Sequence, residues 1–129
     1  KKFSEIQSKI LSLEVGDSGQ SMLRFELPTN TTHLRVDLPP KSQLRIDRVE
    51  LEIHGEKTRV PSKKIKPSQM RRGLNGLVAY GGNDPYFVLP IKIDRHKAGD
   101  TKVKMVVRFQ ADLIIGVVEL PLVVFLEHG

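Results

Sequence analysis

The sequence predicts an all-β fold, a two-sheet antiparallel β-sandwich of jelly-roll-like form, and three observations carry that expectation. Apolar and charged residues alternate with period two along most of the chain, the pattern of strands buried on one face. Short clusters of Gly, Pro, Asn, Asp and Ser separate these runs at intervals that suit a sandwich or barrel. Helical spacing occurs only at Phe3, Ile6 and Ile10, and it gives way at once to the strand spacing of Leu11, Leu13 and Val15.

Taken in order, the chain opens with that short helical candidate. Leu23-Arg24-Phe25-Glu26-Leu27 and Leu34-Arg35-Val36-Asp37-Leu38 then read as half-buried strands. Leu44-Arg45-Ile46 begins a third, but the apolar phase changes across Asp47-Arg48 before Val49-Glu50-Leu51-Glu52-Ile53. A one-residue phase change reverses the two faces, so a bulge or bend is expected there. Further strands follow at Phe87 to Ile93, Val103 to Phe109 and Val117 to Phe125, giving at least seven. Pro28-Thr29-Asn30, Pro39-Pro40-Lys41-Ser42, His54-Gly55-Glu56 and Ala98-Gly99-Asp100 supply the chemistry of turns between them. Pro90 and Pro121 have no N–H to give to a ladder, so each belongs at an edge, a strand start or a bulge. With Gly116 they predict a bent last hairpin.

At 129 residues the chain is expected to form one domain over 1–129, large enough to bury its own core without metal or disulfide. It contains no cysteine, which removes thiolate catalysis and zinc–thiolate sites. That absence, and the lack of an apolar signal core at Lys1-Lys2-Phe3, favours the cytoplasm. The longest apolar run, Leu113 to Leu126, is broken by Gly116, Glu119 and Pro121 and falls short of the roughly 20 residues of a membrane helix.

The formal net charge of +6 is local. Glu56 to Arg72 holds Lys57, Arg59, Lys63, Lys64, Lys66, Arg71 and Arg72 against a single acid, and the rest of the chain is balanced. The stretch from about 55 to 82 therefore reads as a basic irregular connection. Lys57, Arg59, Lys63, Lys64 and Lys66 are its candidates for a polyanion. Nucleic acid is the lesser expectation, because single-strand readers interleave aromatic residues and none stands between Ile53 and Val78. A solvated loop accounts for the same charges.

No catalytic constellation emerges. His33, His54, His96 and His128 lack metal-ligand spacing, and no nucleophile elbow or phosphate-binding glycine loop is present. Acids such as Glu26, Asp37, Glu50 and Glu52 occupy outward strand positions, where cross-strand pairing with Arg24, Arg35 and Arg45 is expected. No metal, cofactor or catalytic residue is assigned.

Gly81-Gly82-Asn83-Asp84-Pro85-Tyr86-Phe87-Val88-Leu89-Pro90 is the stretch with recognition chemistry. The glycines free the chain, Pro85 starts a strand, and Phe87 and Leu89 enter the core. Asn83, Asp84 and Tyr86, with Tyr80 and Arg71 or Arg72 nearby, combine aromatic rings with planar polar groups, the needs of a saccharide site.

The runs Leu23 to Pro28, Leu34 to Asp37 and Leu44 to Asp47, followed by Val49 to Ile53 and by Asn83 to Pro90, resemble galactose-binding-like jelly-roll segments attached to some bacterial cell-surface polysaccharide glycosyltransferases. They cover about half the chain. Arg48 departs from that pattern, which has proline after the "LRID" stretch. The resemblance implies a noncatalytic accessory module in bacterial glycan synthesis or recognition, with a glycan as partner. The alternative is a structural sandwich that binds protein or forms a homo-oligomer through a sheet edge or its last hairpin.

Overall fold

The computed structural model describes residues 3–13, 18–73, 76–94, 96, 99–110 and 118–128; for residues 4, 6–13 and 118–128 the description is of the backbone. Among these residues eleven strands form, β1 Ser4–Leu13, β2 Ser18–Leu27, β3 Thr31–Asp37, β4 Gln43–Ile53, β5 Glu56–Arg59, β6 Lys66–Ser68, β7 Met70–Gly73, β8 Gly76–Tyr80, β9 Tyr86–Pro90, β10 Thr101–Gln110 and β11 Val118–His128, with one 3-10 turn at Ser62–Lys64. Sheet A has the order β1-β11-β3-β9-β6, and sheet B the order β2-β10-β4-β8-β7 with β5 also on β4. Every pairing is antiparallel.

From β1 to β4, and again from β8 to β11, each connection carries the chain to the other sheet. β10 returns between β2 and β4 and β11 between β1 and β3, while β8 and β9 lie on the far sides of β4 and β3, which gives the interleaved order of a jelly roll. The expected sandwich is the observed one.

Its core follows from the period-two pattern. Leu23 and Leu27 of β2, Leu34 and Val36 of β3, Phe87 and Leu89 of β9, and Met105 and Val107 of β10 are all fully buried. Removing each from water contributes about 1.5–3 kcal/mol. Their charged neighbours in sequence point outward, which decides what the two outer faces carry.

The phase change in β4 is a bulge. Arg48 pairs with Arg108 and Ile46 with Phe109, so Asp47 stands extra and both Ile46 and Val49 turn inward. Pro90 pairs with His33 beyond the last residue that β6 reaches, and Pro121 pairs with Ile10 before β3 begins at Asp37–Val123. Each proline therefore lacks a strand neighbour on one side.

Three expectations need correction. Phe3 to Ile10 is not helical: Ser4–Leu13 is a strand, and a register shift between Glu5 and Gln7 breaks its alternation. β10 and β11 are not a hairpin, because β10 lies between β2 and β4 in sheet B while β11 lies between β1 and β3 in sheet A. The last strand is thus interior, and its backbone is paired on both sides over residues 123–126; Gly116 lies outside the described residues.

The segment 55–82 is mostly short strands rather than an irregular connection. His54 and Gly55, both at positive φ, turn β4 directly into β5, the geometry of a two-residue hairpin. β6 and β7 then cap the edges of the two sheets. The buried residues that anchor this insertion, Val60, Ile65 and Met70, are five apart and match no strand period, so the pattern hides it.

Candidate functional site

The outer face of sheet A gathers the most varied side chains. Because Leu34 and Val36 point inward, His33, Arg35 and Asp37 point out; because Phe87 and Leu89 point inward, Tyr86 and Val88 point out. Register sets Asp37 against Tyr86, Arg35 against Val88 and His33 against Pro90. The Arg35 guanidinium donates from Nε to Asp37 Oδ1 at 2.8 Å and from Nη2 to Oδ2 at 3.0 Å. Held by that fork, its central carbon lies 4.9 Å from the centre of the Tyr86 ring and 5.2 Å from that of Phe3.

Burial pushes the Asp37 carboxyl above its ordinary value, against the hydrogen bond and charge of Arg35, and the Asp84 carboxylate adds to the rise. Beside this cluster runs a shallow groove of about 290 Å³, lined by Phe3, His33, Lys66, Pro67, Ser68, Tyr86 and Val88. Two aromatic rings, a hydroxyl, an imidazole and an ammonium thus face one open space. His33 Nδ1 is 3.0 Å from the Thr32 hydroxyl, which fixes the ring's orientation.

The residues expected from sequence do not all meet here. Tyr86 lines the groove, and Asn83 and Asp84 lie exposed just before its strand. Their loop is not free. Leu38 N–H donates to Pro85 O at 3.0 Å, Lys41 N–H to Gly82 O at 2.7 Å, Gly81 N–H to Ser42 O at 2.9 Å, and Asp84 N–H to Gln69 Oε1 at 2.9 Å. The loop between β8 and β9 is thereby laced to the loop between β3 and β4.

Tyr80 is on the other side of the molecule. It projects from the outer face of sheet B, 46% exposed, with the Arg71 guanidinium carbon 4.8 Å from its ring centre. Alternation explains the split: β8 ends in sheet B and β9 begins in sheet A, so their outward residues face opposite directions. Arg72 is committed to the fold, with Nε donating to Ser62 O at 3.3 Å and Nη2 to Ile65 O.

The basic cluster is also dispersed. Lys57 and Arg59 stand across from Glu52 and Glu50, Lys63 and Lys64 sit on the 3-10 turn, and only Lys66 reaches the groove of sheet A. The acids of β4 do not pair as the sequence suggested. Arg45–Asp47 at 3.0 Å and Arg48–Glu50 at 3.7 Å close along one strand, and Lys104–Glu52 at 2.8 Å crosses between strands.

A second cavity, of about 220 Å³, opens at the Asp47 bulge where β5 and β8 meet end to end along β4. Its walls include Val49, Val60, Ile65 and Leu77, with Arg48 and Arg59 at the rim. Among the described residues, no three His, Cys, Asp or Glu side chains gather to hold a metal ion.

Sequence reading missed Phe3, Arg35, His33, Ser68 and Gln69 as parts of the site. The one available signal was the outward Arg35-x-Asp37 spacing; that β9 would lie beside β3 is a long-range fact. No protein-family model, no curated protein and no solved structure matches the chain.

Proposed function

We propose that the chain is a noncatalytic saccharide-binding module whose binding face is the outer surface of sheet A around Tyr86. The observation that carries this reading is the groove itself: Tyr86 and Phe3 line it together with Ser68, His33 and Lys66. A sugar ring presents an apolar face that stacks on an aromatic ring, and hydroxyls that pair with a fixed set of polar groups. Arg35, clamped by Asp37, keeps the Tyr86 ring in place instead of serving the ligand.

A shallow, open groove suits one or two sugar units of a longer chain, the ligand that an accessory module of bacterial glycan synthesis or recognition would meet. The Lys66 ammonium adds a preference for saccharides that carry a carboxylate. Polyanion binding by the 57–72 segment has less support, because Lys57 and Arg59 face carboxylates and Arg72 holds backbone carbonyls.

Calorimetric titration with neutral and uronic-acid oligosaccharides tests the proposal. Binding that weakens about tenfold in Tyr86→Ala supports it, on the scale of one lost aromatic stack. An absence of heat with every saccharide of such a panel removes it.

A further inference from the structure

The four Arg-x-acid triplets of this sequence do not behave alike. Arg35 with Asp37, Arg45 with Asp47 and Arg48 with Glu50 each close an ion pair along their own strand, at 2.8, 3.0 and 3.7 Å. Arg24 and Glu26 have the same spacing and share the outer face of β2, and both are exposed. Among the described residues neither forms an ion pair or a hydrogen bond. Arg24 stands across from Lys104, a like charge already bound to Glu52. Within its own sheet Arg24 has no acid directly opposite, although Glu52 lies near enough to feel its charge, and Glu26 faces Lys102 without closing an ion pair among the described residues.

The strands with closed pairs, β3 and β4, are interior, whereas β2 is the edge of sheet B. An edge strand turns every second N–H and C=O away from its sheet, a ready template for another strand. β2 is ten residues long, contains no proline, and pairs with β10 without a register shift from Thr101–Leu27 to Gln110–Ser18. The opposite edges are defended, since β6 and β7 have three and four residues and β6 contains Pro67. β2 has neither the shortness nor the proline that protects those edges, and the charges it carries, Arg24 and Glu26, are of opposite sign.

We infer that β2 pairs antiparallel with β2 of a second copy of this chain over residues 23–27, joining two B sheets about a twofold axis at Phe25. Arg24 then lies across from Glu26 of the partner subunit, and Glu26 across from the partner's Arg24. On the inner face Leu23 meets Leu27 of the partner subunit, so the two cores continue across the seam. A register centred on Arg24 or on Glu26 sets identical charges opposite each other, and a slip by one residue sets inward residues against outward ones. Only the Phe25 register satisfies both charges and both faces. The seam is on the sheet opposite the Tyr86 groove, so pairing and saccharide binding are independent of each other.

Sedimentation velocity over a concentration series up to millimolar tests this on the 129-residue chain, with melting followed by circular dichroism. The wild type is expected to reach twice the chain mass. Arg24→Glu or Glu26→Arg alone creates two like-charge pairs per dimer, and is expected to raise the dissociation constant about tenfold or more. The double variant R24E/E26R restores opposite pairs and is expected to recover the wild-type constant. Both sites are exposed, so at concentrations where the chain is monomeric all three variants should melt close to the wild type. A wild type that stays monomeric, a dimer indifferent to either reversal, or a double variant as weak as the singles would each overturn the inference.

Discussion

The Arg35 guanidinium lies over the Tyr86 ring at 4.9 Å while its Nε and Nη2 grip Asp37. One side chain thus joins a carboxylate of β3 to an aromatic ring of β9, and the groove wall depends on that link. Arg35→Ala removes the ring contacts and leaves the half-buried Asp37 carboxylate without its counter-ion. The expected cost is about 2–3 kcal/mol, read as a lower urea midpoint with unchanged slope. Arg35→Lys keeps the charge but cannot chelate both oxygens, so it should recover only part of the loss.

Gly76 marks the closest approach of β8 to the bulge of β4. Its φ is +120°, and a Cβ there would lie 2.0 Å from the Ile46 carbonyl oxygen. Because that obstacle is backbone, Gly76→Ala must push β8 off β4 or unfold the bulge. A loss of at least about 3 kcal/mol is expected in urea unfolding. Stability within 1 kcal/mol of wild type, roughly the range of tolerated substitutions, would show that the contact yields easily.

These two contacts show what the sequence could and could not convey. Leu23, Val36, Phe87 and Met105 announce their burial by alternation alone, and the bulge at Asp47 shows as a slip in phase. Local pattern was sufficient there because inward residues alternate with outward ones, charged beside Leu23, Val36 and Met105, along each strand. The position of β9 beside β3 has no local signature, so Arg35 and Tyr86 could not be joined from sequence, nor Tyr80 and Tyr86 assigned to opposite faces. The insertion from β5 to β7 stayed hidden for a related reason. Its strands are short, their outward residues are charged, and the few inward anchors answer to a distant core.

Two carboxylates should leave opposite marks on the pH dependence of stability. The hydrogen bond and charge of Lys104 hold Glu52 below its ordinary value, so its contribution is present above the unfolded-state pKa and is lost as pH falls through the folded one. The gap in urea midpoint between wild type and Glu52→Gln should therefore be open at neutral pH and close as pH falls through and below the ordinary glutamate range. Asp37, raised by burial, works the other way. It favours the folded state most below its unfolded pKa, and that contribution is lost as pH rises through its folded value. A gap for Glu52→Gln that does not change with pH would contradict the Lys104 pairing.

The saccharide face is tested most directly by mapping backbone amide shifts during titration with neutral and uronic-acid oligosaccharides. The shifts are expected to concentrate at 33–37 in β3, at Lys66 and Ser68 in β6 and at 86–88 in β9. They should weaken about tenfold in Tyr86→Ala and persist in Tyr80→Ala, whose ring lies on the opposite face. Shifts that survive Tyr86→Ala but vanish with Tyr80→Ala, or an unperturbed sheet A throughout, would contradict it.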